Sequence, residues 1–350
     1  MTTAIEYEVT ADSNIVGVVA YNAYYFRVWD IGAYRPGEKR LLCLRIIQDN
    51  SLPEWGSEQA QEFIYLASLF MRKRFTLGPM VREDTEPIRI YAGLKSINGY
   101  IDMDVICGET DTIGDSANLD ELSKWLPLVD NILPTLKDKF ILAVRFYHQA
   151  IEIIETATDM AYINLVSSIE TLCQDLSTET KKLEEIDQGL AAAIKKISSC
   201  DLRKDIEKRI LKREPFIQNK FVNFIKNNID ASFWTYNKRP QHGRIEPVDL
   251  DRILKNIYQQ RSNFLHSGTP FPEYIYLTDR MPDISHLKYD QAYIMHRLYQ
   301  EEIPVGLGIT SGSRSWQPSE YIPYPHFFER LVRHVLLNYL KRNQQNEDAQ

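Results

Sequence analysis

The stretch "NIYQQRSNFLHSGTP" (residues 256–270) decides how the second half of the chain is read. It closes a run in which Leu250, Ile253, Leu254, Ile257, Phe264 and Leu265 recur at three- and four-residue steps, the spacing of one face of an amphipathic helix. Asp249 and Asp251 mark its start, and Gly268 with Pro270 marks its stop. Arg261 lies seven residues after Leu254 and four before Leu265, on the apolar stripe itself. A cation is expensive to desolvate alone, so this position predicts an anionic partner for Arg261. His266 follows at the helix end.

The rest of the composition narrows the function classes. With 350 residues, 44% apolar and 25% charged, the chain reads as a globular protein long enough for two domains. The start "MTTAIEYEVTADSN" has neither a basic n-region nor an apolar h-region, so no signal peptide is expected. No run of apolar residues is long enough to predict a membrane span. Cys43, Cys107, Cys173 and Cys200 are scattered without paired spacing, which argues against zinc or a disulfide framework and points to the cytoplasm. A net charge of −7 gives no general nucleic-acid signature, but residues 195–226 carry ten Lys/Arg against four Asp/Glu. Within that segment Lys208, Arg209, Lys212 and Arg213 are the candidates for contact with a phosphate backbone. A solvated helical face is the plainer reading of the same run.

The fold class expected is α+β: a mixed α/β domain over residues 1–118, then an all-α bundle over 119–342. "IEYEV" (5–9), "VGVVAYNAYYFRVWD" (16–30), "RLLCLRIIQ" (40–48), "IRIYAG" (88–93) and "YIDMDVIC" (100–107) are strand-like. Ser57 is placed to cap a helix through Arg74, with Arg72, Lys73 and Arg74 in a last turn whose dipole favours cations. The polar stretch 107–118 sets the boundary. Beyond it, Pro127 and Pro134 break the chain into short pieces before long helices over 137–157 and 160–176. A final helix over 325–342 puts Phe328, Leu331, Val332, Val335, Leu336 and Tyr339 on one face, and the polar residues 343–350 predict a disordered tail.

The helix ending in "RSNFLHSG", the acidic Glu170 inside the apolar run of the preceding helix pair, and the amphipathic final helix together resemble the HEPN superfamily. Within it, the chain looks most like the Apea-like HEPN domains of prokaryotes, over roughly residues 137–342. The sharp element is that family's arginine, four to six residues, then histidine, matched by Arg261 and His266; the remainder is helix order. Catalytic members usually carry Asn, Asp or His directly after the arginine. Ser262 stands there in this chain, with Asn263 one place later.

On an ideal helix a five-residue step leaves Arg261 and His266 about 140° apart around the axis and ~7.5 Å apart along it. One straight helix does not aim both at one phosphate. Either the helix unwinds near Ser267 and Gly268, or a second copy brings its own motif. The resemblance implies the second: a homodimer acting as a metal-independent endoribonuclease with no cofactor. Arg261 would bind the scissile phosphate of RNA and stabilise its developing charge. His266 would serve as general acid or base while the RNA 2′-hydroxyl attacks. Ser262, one turn before His266, is placed to orient its ring, Asn263 lies beside it, and Glu170 is expected as the structural partner of Arg261. The resemblance further suggests a prokaryotic antiviral defence or toxin role, with the N-terminal domain sensing a trigger, gating the site or recruiting a regulatory partner protein. The alternative is a non-catalytic HEPN-like scaffold for dimerisation or nucleic-acid binding, in which His266 merely caps its helix.

Weaker signals deserve less weight. "DRMPDISH" repeats the Arg-to-His spacing at Arg280 and His286, but Pro282 argues against a continuous helix there. "GAYRPGEKR" (32–40) lacks the Lys-Ser/Thr of a phosphate loop, and the glycines of "VGLGITSG" (305–312) lack a strand-to-helix setting. Asp102 and Asp104 alternate with apolar residues as on the solvent face of a strand.

Overall fold

The computed structural model describes residues 2–29, 39–49, 56–83, 86–87, 117–174, 188–211, 215–235, 247–272, 275, 309–311, 314–316, 320–323 and 325–345. Strands β1 (Thr2–Ala11), β2 (Ile15–Val16), β3 (Val18–Tyr21), β4 (Tyr24–Val28) and β5 (Arg40–Asp49) precede helix α1 (Gly56–Met71). After it come β6 (Phe75–Glu83), β7 (Glu86–Pro87) and β8 (Ala117–Asn118). The helical part follows as α2 (Leu122–Asp130), α3 (Pro134–Ile153), α4 (Thr158–Cys173), α5 (Gln188–Lys195), α6 (Cys200–Leu211), α7 (Pro215–Asn228), α8 (Ala231–Trp234) and α9 (Leu250–Ser267). A short hairpin of β9 (Ile309–Ser311) and β10 (Arg314–Trp316) leads to α10 (Pro325–Arg342). Strands first and helices after make the chain α+β.

One six-stranded sheet runs in the order β3-β4-β5-β1-β6-β7, and each neighbouring pair is antiparallel. Within the stretch 16–30, β3 and β4 fold back on each other as a hairpin, turning at Asn22, whose φ of 48° is one that asparagine tolerates. Tyr7 and Val9 of β1, Leu42, Leu44 and Ile46 of β5 and Phe26 of β4 alternate onto one buried face. Across that face α1 lays Ala60, Phe63, Ile64 and Ala67, with the Phe63 ring 4.8 Å from Tyr24 and 5.5 Å from Phe26. Strand β6 is absent from the sequence reading. Its Gly78 and Pro79 break the alternating pattern, and its register against β1 shifts between Tyr7 and Val9, where Met80 and Leu77 pair with them. That irregularity is a bulge, which is where proline and glycine are tolerated in a sheet. The strands expected over 88–93 and 100–107 lie outside the described residues.

Three expectations are corrected. Helix α1 ends at Met71, three residues early, because Arg72 adopts a left-handed φ of 53° and turns the chain into β6. Arg72 and Lys73 are then buried, rather than forming a solvated, cationic last turn. Pro127 sits inside α2 and does not break it, while Pro134 opens α3 at a first-turn position that needs no N–H donor. Past α10, Asn343, Gln344 and Gln345 stay with the fold instead of leaving it: the Gln345 N–H donates to Asn131 O at 2.8 Å and Gln344 pairs with Ile132.

Packing is continuous across residue 118. One cluster of buried apolar residues runs from the sheet face through α1 to α3, α4, α7, α9 and α10. Helices α3 and α4 pair as a hairpin, and α10 fills the groove beside them with Phe328, Leu331, Val332, Val335 and Leu336, all fully buried. This central helix also anchors α9, through their common neighbours α4 and α7.

Candidate active site around Arg261 and His266

Helix α9 buries Leu250, Ile253, Leu254, Ile257 and Tyr258 against α4 and α7, so its apolar stripe faces the core as the spacing requires. Leu265 is an exception: it is 47% exposed, because the stripe passes through Tyr258 and Arg261 to Phe264 and not to its neighbour. Two side-chain amides fix the helix along its length. Asn256 donates to Tyr321 O at 3.0 Å, and the buried Gln260 donates to Pro270 O at 2.8 Å. Phe264 packs on Phe271 at 5.4 Å, and Phe271 in turn lies against Tyr162 of α4.

Arg261 meets its anion. Its Nη2 donates to Glu170 Oε2 at 2.9 Å, and the two side chains are only 21% and 15% exposed. The second carboxylate oxygen, Glu170 Oε1, accepts the Tyr258 hydroxyl at 2.9 Å. The same tyrosine ring lies 5.8 Å from the guanidinium carbon of Arg261. Arg261 Nε is buried without a hydrogen-bond acceptor. Burial first, and then the negative charge of Glu170, push the Tyr258 hydroxyl well above its ordinary range, so it remains a donor. Burial likewise pushes the Cys173 thiol, three residues beyond Glu170, up to about 12.

The helix stays regular through Ser267 and stops at Gly268, whose φ of 62° is left-handed. Gly268 N–H donates to Phe264 O at 3.1 Å and Thr269 N–H to Asn263 O at 3.3 Å, which satisfies the last carbonyls. A Cβ at Gly268 would meet nothing within 4 Å, so the backbone angle alone calls for glycine there. His266 is exposed in the last turn. Unwinding near Ser267 therefore does not bring the pair together, and the separation of about 140° set by helix geometry stands. Ser262 and Asn263 are half-buried, and Asn263 Oδ1 accepts from Gln259 Nε2 at 2.9 Å. Tyr258 is the participant that sequence reasoning missed; its signal was a position one turn before Arg261 on the same face.

Part of the basic segment is engaged within the chain. Arg203 donates to Ile197 O at 2.7 Å, Lys220 to Gln174 O at 2.6 Å, and Lys226 pairs with Asp251 at 3.1 Å. Lys226 and, more strongly, Lys255 hold the Asp251 carboxyl below its ordinary range. Lys195, Lys196 and Lys204 are exposed. Lys208 and Arg209 lie on α6 with side chains outside the described residues, and Lys212 and Arg213 lie outside them altogether. So do Asp102, Asp104, Arg280, His286 and all but the last two residues of the stretch 32–40.

Among the described residues no group of three or more His, Cys, Asp or Glu is gathered as a metal site, and no helix is long and apolar enough to cross a membrane. No protein-family model, curated protein or solved structure matches the chain.

Proposed function

We propose that this chain is a HEPN-type endoribonuclease that cleaves RNA through attack of the 2′-hydroxyl, without a metal or other cofactor, and that it works as a homodimer. The observation that carries the reading is Arg261, held at the core edge by Glu170, with His266 exposed at the end of the same helix. A guanidinium bound through one nitrogen keeps donors for a phosphate, and an imidazole at a helix end is open to solvent and substrate. Because α9 is straight between them, the Arg261 and His266 motifs of two protomers, facing each other across a twofold axis, would together make up a single composite site. Lys208, Arg209, Lys212 and Arg213 would hold the RNA strand. A prokaryotic defence or toxin role, in the cytoplasm, fits such an activity, with the N-terminal unit acting on the site through the core it shares with α10. The ion pair with Glu170 is also what a purely structural arginine makes, which favours a non-catalytic dimerisation or nucleic-acid-binding scaffold as the second reading.

The two readings separate in one assay. Purified protein incubated with mixed RNA in excess EDTA should leave 2′,3′-cyclic phosphate or 3′-phosphate ends, and RNA with 2′-deoxy sugars should resist. Binding without cleavage would support the scaffold.

A further inference from the structure

Two neighbouring helices carry the same uncharged pattern on the outside of the molecule. Along α3 it is Leu142, Phe146, Gln149 and Ile153; along α4 it is Met160, Asn164, Ser167, Thr171 and, just past the helix, Gln174. All of these residues are half-buried or exposed, and Leu142 and Met160 are each 43% exposed. Both rows advance by alternating steps of four and three residues, the heptad spacing by which one helix packs along another. A helix face turned only to water ordinarily carries charge, as α3 does further round its circumference at the exposed Asp138 and Arg145. The described helices α1, α7, α9 and α10 pack on the other sides of the α3–α4 hairpin.

We propose that this face of the hairpin is covered by the same face of a second copy of the chain, the two hairpins forming an antiparallel four-helix bundle with its twofold axis at Ser167. Ser167 is the midpoint of the α4 row, seven residues from Met160 and seven from Gln174. The two ends of the row are complementary: Asp159 stands in the first turn of α4, and Lys220 donates to Gln174 O at 2.6 Å at its far end. Antiparallel packing sets the acidic start of each α4 against the basic end of the other and opposes the helix dipoles favourably, whereas parallel packing sets like against like. Leu142, Phe146, Ile153 and Met160 supply the apolar contact. Glu170, which holds Arg261, lies three residues and ~4.5 Å along α4 from the axis, so the Arg261 side chains of both copies come near the centre of the interface. The link to RNA cleavage rests on the ribonuclease reading; the interface does not.

Sedimentation of the full chain at micromolar concentration tests the interface without RNA. Wild type should sediment as a dimer, and Ser167→Arg, which puts two cations on the axis, as a species of half that mass with an unchanged melting curve. Ser167→Cys decides the matter should the arginine variant fail to fold. Helices packed roughly 9–10 Å apart bring two axial Cα atoms within about 4.5–5.5 Å, a disulfide's range, so oxidised glutathione should link the chains in pairs. Val248→Cys, at a position 89% exposed just before α9, should stay largely unlinked under the same conditions. A monomeric wild type, a folded Ser167→Arg that remains dimeric, or a Ser167→Cys that links no faster than Val248→Cys overturns the proposal. Where wild type cleaves RNA, Ser167→Arg should lose that activity along with the dimer. A wild type that cleaves no RNA but dimerises through Ser167 defeats the ribonuclease reading and leaves the interface standing.

Discussion

Arg72 donates from both Nε and Nη2 to one oxygen of Glu329, at 2.9 and 2.7 Å, across 257 positions of sequence. The other oxygen of Glu329 accepts the Tyr147 hydroxyl, and all three side chains are fully buried. One turn along α10, Arg333 reaches the opposite way and donates to Leu69 O and Phe70 O at 2.7 and 2.6 Å. The open carbonyls at the end of α1 are thereby satisfied by the last helix of the chain. The sheet unit and the helical unit are joined at this point by buried polar contacts in both directions.

Losing one member of that pair leaves a buried, uncompensated charge. Arg72→Met or Glu329→Leu should each destabilise the chain by about 3–5 kcal/mol, and the double substitution by much less than the sum. Urea unfolding of the three variants measures this. Additive losses would mean that the two residues do not interact.

This junction also marks the limit of what sequence could reveal. Helices α9 and α10 were legible because their apolar residues keep a regular 3.6-residue period, and the anion opposite Arg261 was legible because burial of a lone cation is so unfavourable. Glu329 offered the same clue, an acid inside "PHFFERLVRHVLL", but its partner lay in a segment whose basic residues read equally well as a solvated helix end. Only the left-handed turn at Arg72 sends that side chain inward, and no local pattern announces it. Strand β6 was hidden for a similar reason, since a bulge at Gly78 and Pro79 erases the two-residue period.

Acid should weaken the fold through His148. Its ring is buried between Ser68 Oγ, 2.9 Å from Nδ1, and Glu152 Oε1, 3.5 Å from Nε2, and burial lowers its pKa from 6.5 to about 4. Between those values the unfolded chain binds a proton that the folded chain excludes. Stability is therefore full above pH 6.5 and falls as pH drops towards about 4, by up to roughly 3 kcal/mol. Glu152, whose pKa burial raises, shifts in the opposite sense, so the readout is the difference between wild type and His148→Gln. The variant should have the flatter pH dependence of unfolding free energy; identical slopes would contradict this.

His266→Ala should reduce RNA cleavage by about 10²–10⁴-fold while changing stability by less than about 0.5 kcal/mol, since the side chain is exposed. Arg261→Ala should reduce cleavage by about 10²–10³-fold and also cost about 1–3 kcal/mol, because Glu170 loses its cation in a mostly buried setting. Single-turnover kinetics with thermal melting checks both.

RNA affinity should fall steeply with salt, with a slope set by the number of phosphates contacted. Replacing Lys208, Arg209, Lys212 and Arg213 with Ser should flatten that slope by about 2–3 on a log–log plot for single-stranded RNA, at roughly 0.7 per contact. An unchanged slope returns the segment to a solvated helical face.

The central claim is that Arg261 and His266 complete one site between two copies of the chain. Wild-type protein exchanged with excess His266→Ala protein tests it, since most wild-type chains then sit in mixed dimers. If one composite site needs both motifs, activity per wild-type chain should fall well below that of the undiluted enzyme, and specific activity should also drop on dilution below the dimer dissociation constant. Activity strictly proportional to the wild-type chain, under confirmed subunit exchange, would contradict the composite site.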